Sequence, residues 1–75
     1  MKRKTYHVTP VGYAWGVRRA RCKRADSVHL FKMEAISKAK RLARAAPLGQ
    51  VKVHGRNGRI QLEFTYREDP RSTRG

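Results

Sequence analysis

Three histidines (His7, His29 and His54), one cysteine (Cys22), and the carboxylates Asp26 and Glu34 are the side chains that could carry chemistry. A metal site needs several such ligands at close spacing. No two of the histidines lie at such a spacing, and no carboxylate cluster accompanies them. Acid–base catalysis needs a titratable group beside a nucleophile. Asp26 and Glu34 are neither paired nor placed near one. Cys22 has no second cysteine to bond. Its neighbours Arg21, Lys23 and Arg24 favour a thiolate, yet a lone thiol in a basic run reads first as incidental. The segment His54-Gly55-Arg56-Asn57-Gly58-Arg59 holds two glycines and two arginines, and loops of that kind can cradle a phosphate. It lacks the strand-to-helix context of nucleotide-binding loops, and a tight turn accounts for Asn-Gly. No catalytic residue, metal or cofactor is expected, and the chain does not read as an enzyme.

Charge is the dominant signal. Nineteen Lys and Arg face five Asp and Glu, a formal net charge of +14. Self-repulsion on that scale opposes folding and favours polyanionic partners. Nucleic acid is the leading candidate, ahead of an anionic membrane surface and an acidic protein. The chain has no apolar run long enough to span a bilayer. Its basic N-terminus, MKRK, is not followed by an apolar stretch, which argues against an ordinary secretory signal. The single cysteine fits a reducing cytoplasm. Seventy-five residues make one domain that buries only about 60% of its unfolded-chain surface.

Tyr6 and Val8, then Tyr13, Trp15 and Val17, alternate with smaller or polar residues, so a hairpin is predicted around Val11-Gly12. That loop sets Val8 opposite Trp15 and Tyr6 opposite Val17. The basic run 18–24 covers a strand end and a turn. Residues 25–31 predict a third, short strand. Residues 32–46 predict a helix, with Ala35, Ile36, Ala39, Leu42, Ala43 and Ala46 on one face and Pro47 and Gly49 ending it. Phe31, at its start, cannot cap it. Residues 51–66 predict a second hairpin. With Asn57-Gly58 as a two-residue type I′ turn, Val53 meets Leu62, Val51 meets Phe64, His54 meets Gln61, and Arg56 meets Arg59. The fold class is therefore α+β: a small antiparallel sheet, β-β-(β)-α-β-β, with one helix packed on one face. Residues 1–66 form the domain, including a basic N-terminal arm, and 67–75 a mobile polar tail.

Several stretches resemble one bacterial and phage family. They are His7-Val8-Thr9-Pro10, Trp15-Gly16-Val17, Arg24-Ala25-Asp26-Ser27-Val28-His29, Lys32-Met33-Glu34-Ala35-Ile36 and Val53-His54-Gly55-Arg56-Asn57-Gly58-Arg59-Ile60-Gln61. The family is the domain of unknown function 2188 family, and the resemblance covers nearly the whole chain. It implies a small stand-alone cytoplasmic protein and no particular activity. The chain departs from the family pattern at Phe31, where relatives carry Thr, and at Leu62 and Phe64, where they are polar or charged.

Tyr6, Trp15 and Phe64 share the face assigned to the helix, so they read as core rather than as base-stacking platforms. The other sheet face carries small residues in its middle strand, with basic or hydrogen-bonding residues around them. Such a β-ribbon can lie in a DNA groove or along a phosphate backbone. The expected function is non-enzymatic nucleic-acid binding, DNA favoured over RNA. Phosphate contacts are assigned to Arg18, Arg19, Arg21, Lys23, Arg24, Lys52, Arg56 and Arg59, and base-edge contacts to His54 and Gln61. The Arg56–Arg59 opposition costs stability unless an anion lies between them. A different class, a module that binds a cellular protein, remains the alternative. Leu62 and Phe64 on an edge strand also suggest a homodimer.

Overall fold

A computed structural model of the chain describes residues 3–67. Six elements follow one another: β1 Arg3–Val11, β2 Ala14–Arg19, β3 Ser27–His29, α1 Lys32–Arg44, β4 Leu48–His54 and β5 Ile60–Arg67. They form one five-stranded sheet, ordered β3-β2-β1-β4-β5. The architecture is the α+β one expected. Three of the four pairings are antiparallel, but the central pair, β1 with β4, is parallel. A parallel neighbour needs a long crossover, and α1 supplies it. Strand β1 already includes Arg3 of the basic arm, and β5 runs through Arg67. The mobile tail expected over 67–75 otherwise lies outside the described residues.

The helix covers one sheet face. Tyr6 and Val8 from β1, Trp15 and Val17 from β2, and Val51 and Val53 from β4 are buried against Ala35, Ala39 and Ala43. Val8, Val17, Val51 and Val53 are the largest fully buried side chains, each worth roughly 1.5–3 kcal/mol of transfer free energy. The helix contributes mainly alanine to this contact. It therefore lies very close to the sheet, and β4 meets its last turn with Gly49. A Cβ at Gly49 would collide with the backbone of Ala43, its carbonyl oxygen first.

Both hairpins differ from the expected registers. In the first, Val8 faces Val17, Tyr6 faces Arg19 and Pro10 faces Trp15. The loop is therefore Gly12-Tyr13, and Gly12 takes the left-handed conformation at φ 61°. The slip is two residues, so the side chains that remain in the strands keep their predicted faces. Tyr13, expected in the strand with Trp15 and Val17, instead lies in the turn and is exposed.

In the second hairpin the expected pairs Val51–Phe64 and Val53–Leu62 are present, with Lys52 facing Glu63 between them. Beyond Val53 the register shifts, and His54 faces Ile60 rather than Gln61. Gly58 N–H donates to the Gly55 carbonyl at 2.9 Å and Gly55 N–H to the Arg59 carbonyl at 2.8 Å. Gly58 has φ 86° while Asn57 is not left-handed. A type I′ turn needs both central residues at positive φ, so the loop is the three-residue kind, Arg56-Asn57-Gly58. Asn57 Oδ1 accepts from the Arg59 N–H at 3.0 Å and braces it. Arg59 thus stands opposite Gly55, and the Arg56–Arg59 repulsion does not arise.

Phe31 makes no side-chain cap, as expected. The helix start is held instead by Lys32, whose Nζ donates to Gln61 Oε1 at 2.8 Å and lies 4.8 Å from the centre of the Trp15 ring.

Candidate functional site

The sheet face opposite the helix is where β1, β2 and β4 bring the predicted residues together. In the strand registers Arg18 pairs with His7, His7 with Lys52, and Lys52 with Glu63. Arg18, His7 and Lys52 therefore form one row across three adjacent strands, spaced at about 4.8 Å per strand. All three are partly exposed. Around the row lie Thr5, Thr9 and Gln50, each partly exposed, while Gly16 is buried beneath the Val11 and Ala25 side chains.

Beside the row, His7 Nδ1 lies 3.0 Å from His54 Nε2. His54 Nδ1 in turn lies 3.0 Å from the Gly58 carbonyl oxygen. A carbonyl only accepts, so His54 Nδ1 carries a hydrogen and donates. In the neutral ring Nε2 is then the acceptor, and His7 Nδ1–H donates to it. The result is a relay from His7 to His54 to the turn. The sequence sets His7 and His54 in different hairpins and hides the pair, because nothing local to either hairpin reveals that β4 lies beside β1.

Burial holds the His7 pKa below its ordinary value, with further lowering from His54, Arg18 and Lys52. The unfolded chain thus binds this proton better than the folded chain. Stability from this group is fully present above the ordinary imidazole pKa of 6.5 and is lost as pH falls below it toward the lowered folded value. Urea midpoints are expected to fall between pH 7.5 and 5.5, and His7→Gln to flatten that fall.

Other predicted contacts lie elsewhere. Arg56 Nη1 donates to the Gly12 carbonyl at 2.6 Å and Nη2 to the Tyr13 carbonyl at 2.7 Å. Its guanidinium also stands 4.5 Å from the Trp15 ring centre. Arg56 is a clamp between the two hairpin turns. Gln61, the extra residue at the bulge, turns to Lys32 on the helix side rather than joining His54. Arg56→Ala should therefore cost about 1–2 kcal/mol in a denaturant melt, from two hydrogen bonds to a charged group and a cation–π contact. Arg59→Ala should cost less than half as much.

The basic run after β2 is tied to the sheet by Ala20 N–H to the Thr5 carbonyl at 2.8 Å and Asp26 N–H to the Val17 carbonyl at 2.6 Å. Arg21 holds φ 72°, a left-handed conformation that side chains disfavour. Arg21, Lys23 and Arg24 are exposed there. Cys22 N–H donates to the Arg19 carbonyl at 3.0 Å, and the nearby Cys22 side chain, with Tyr6 and Asp26, raises the already high Arg19 pKa. Arg3, Thr5, Arg19, Ala20 and Arg21 line a basic hollow of about 550 Å³.

The helix directs cations onto aromatic rings: Lys40 Nζ is 4.2 Å from the Phe64 centre and the Arg44 guanidinium carbon 5.5 Å from that of Tyr66. With Lys32 and Arg56 over Trp15, four cations have scaffold roles. His29 lies apart on β3, bonded to Ser27 Oγ at 2.9 Å. Among the described residues no three His, Cys, Asp or Glu side chains converge as metal ligands. Among them, too, no helix is long and apolar enough to cross a membrane.

The fold and this face define a small α+β domain with a helix on one side of its sheet and an open basic row on the other. The chain belongs to the domain of unknown function 2188 family, whose description is "Uncharacterized protein conserved in bacteria" and whose model matches residues 6–66. No curated protein and no solved structure matches it.

Proposed function

We propose that this is a non-enzymatic, cytoplasmic nucleic-acid-binding protein whose open sheet face and neighbouring basic loop contact phosphates. The observation that carries this reading is the Arg18–His7–Lys52 row, on a face the helix leaves uncovered, in a chain of net charge +14. Arg19, Arg21, Lys23 and Arg24 extend the positive surface from the end of β2. Arg59 adds charge at the turn, while Arg56 and Gln61 serve the scaffold. His54 acts through His7. DNA is the favoured ligand over RNA, because a flat ribbon fits a B-form groove better than the deep, narrow major groove of an A-form helix.

Anisotropy titrations against duplex DNA, single strands and RNA at two salt concentrations test the reading. With roughly six to eight phosphates neutralised, log affinity should fall with log salt at a slope of about −5 to −7. No binding at low salt, or binding indifferent to salt, would overturn it.

One observation favours a protein partner as the second reading. Val28, Leu30, Phe31 and Met33 are all exposed, close together in the chain around β3 and the helix start. Capture of a cellular protein that survives nuclease treatment, and is lost in Phe31→Ser, would favour this reading over the first.

A further inference from the structure

The His7–His54 couple changes what the open face offers an anion when it gains one proton. In the neutral couple His7 donates through Nδ1, so its Nε2 presents a lone pair. That atom has no hydrogen-bond partner among the described residues. No buried side-chain nitrogen or oxygen there is left unpaired, so His7 Nε2 reaches solvent. A lone pair there repels a phosphate oxygen.

Adding one proton reverses this, whichever ring takes it. If His7 is charged, Nδ1–H still donates to His54 and Nε2 gains a hydrogen. If His54 is charged, its Nε2–H donates to His7 Nδ1, and neutral His7 must carry its hydrogen on Nε2. The 3.0 Å bond and the bond to the Gly58 carbonyl survive both ways. His7 Nε2 has become a donor between two cations. A second proton would set two charged rings against each other across that bond.

We propose that Arg18, His7 and Lys52 form a phosphate-binding subsite on the open sheet face, whose His7–His54 couple takes up one proton as the anion binds. The proposal rests on the nucleic-acid reading only for the source of the phosphate, a backbone phosphodiester. The charged groups facing His7 are Arg18 from β2, Lys52 and His54 from β4, and, on the far side of Lys52, Glu63 from β5. On this face β3 presents only Val28, opposite Gly16, and the helix lies on the other side. Arg18 and Lys52 attract the anion at any pH, and the couple adds a third donor that depends on pH. The lowered His7 pKa agrees with this geometry: a charged His7 is unfavourable until an anion joins it.

Sulfate is the probe, since its charge is constant between pH 6 and pH 8. Titrations at fixed ionic strength, followed by amide and imidazole NMR, should show about tenfold tighter binding at pH 6 than at pH 8, the effect of one charge-assisted hydrogen bond. At pH 7 sulfate should convert His7 Nε2 from bare to protonated in the wild type. His7→Gln should bind equally at both pH values, and His29→Gln should keep the dependence. Equal wild-type affinity at both pH values overturns the subsite. So does a His7 Nε2 that stays bare, or a pH dependence that persists in His7→Gln. A DNA duplex in place of sulfate separates the two claims: no duplex binding removes the nucleic-acid reading, and pH-independent sulfate binding removes the subsite.

Discussion

Gly49→Ala is expected to abolish cooperative folding. The added methyl group would overlap the Ala43 backbone, and backbone in the last turn of a helix cannot step aside as a long side chain can. Relief requires lifting the C-terminal end of α1 off the sheet. That opens the packing of Ala39 and Ala43, which are fully buried against the β-strand valines. Losses of about 4–5 kcal/mol follow from such overpacking and core exposure. A domain of this size has little more than that in total, and the net charge of +14 already opposes compaction. Far-UV circular dichroism should show no sigmoidal thermal transition. Gly12→Ala is the control. Space is open around Gly12 and only its φ of 61° resists a side chain, so the expected cost is about 1 kcal/mol. A Gly49→Ala protein that melts like the Gly12→Ala protein would mean that the helix is not seated as closely as described.

Removing the row's two permanent charges is expected to have the largest effect on binding. In Arg18→Gln/Lys52→Gln two phosphate contacts are lost, so the salt slope should shrink in magnitude by about two. Affinity at low salt should fall by roughly ten- to a hundredfold. The matched comparison is Lys40→Gln/Arg44→Gln, which removes the same formal charge from the helix. Those two cations lie over Phe64 and Tyr66, so this variant should lose some stability and little affinity. Equal losses of affinity in both variants would mean that charge acts diffusely and that the row has no special part.

Much of the scaffold is legible in the sequence because period-two alternation and helical spacing fix which side chains face inward. Tyr6, Trp15 and the β4 valines go where alternation sends them. The slip in the first hairpin goes unnoticed for the same reason, since a two-residue shift preserves the faces of the strand residues and displaces only Tyr13, into the turn. What alternation cannot supply is strand order. Only the long crossover through α1 brings β4 beside β1, and that placement creates both the His7–His54 couple and the three-strand row. Gly49 reads in the sequence as a helix terminator; its closer duty follows from which backbone lands on it. The second hairpin is misread at its tip for a local reason. Asn-Gly fits a two-residue turn well, but Gly58 alone takes positive φ, and the longer loop leaves Arg56 free to reach the first turn. The opposition of two arginines, which suggested an anion site, is an artefact of that register. The cations over aromatic rings leave no periodic trace, because the partners come from different elements.

The claim that the open sheet face meets nucleic acid is tested most directly by amide NMR of the labelled protein during titration with a short DNA duplex at low salt. Shifts should concentrate at Thr5, His7, Arg18, Gln50 and Lys52 and along the loop from Arg21 to Arg24, while the outer surface of α1 around Ser37, Arg41 and Arg44 stays still. Shifts centred on α1 with a silent Arg18–His7–Lys52 row would contradict the account.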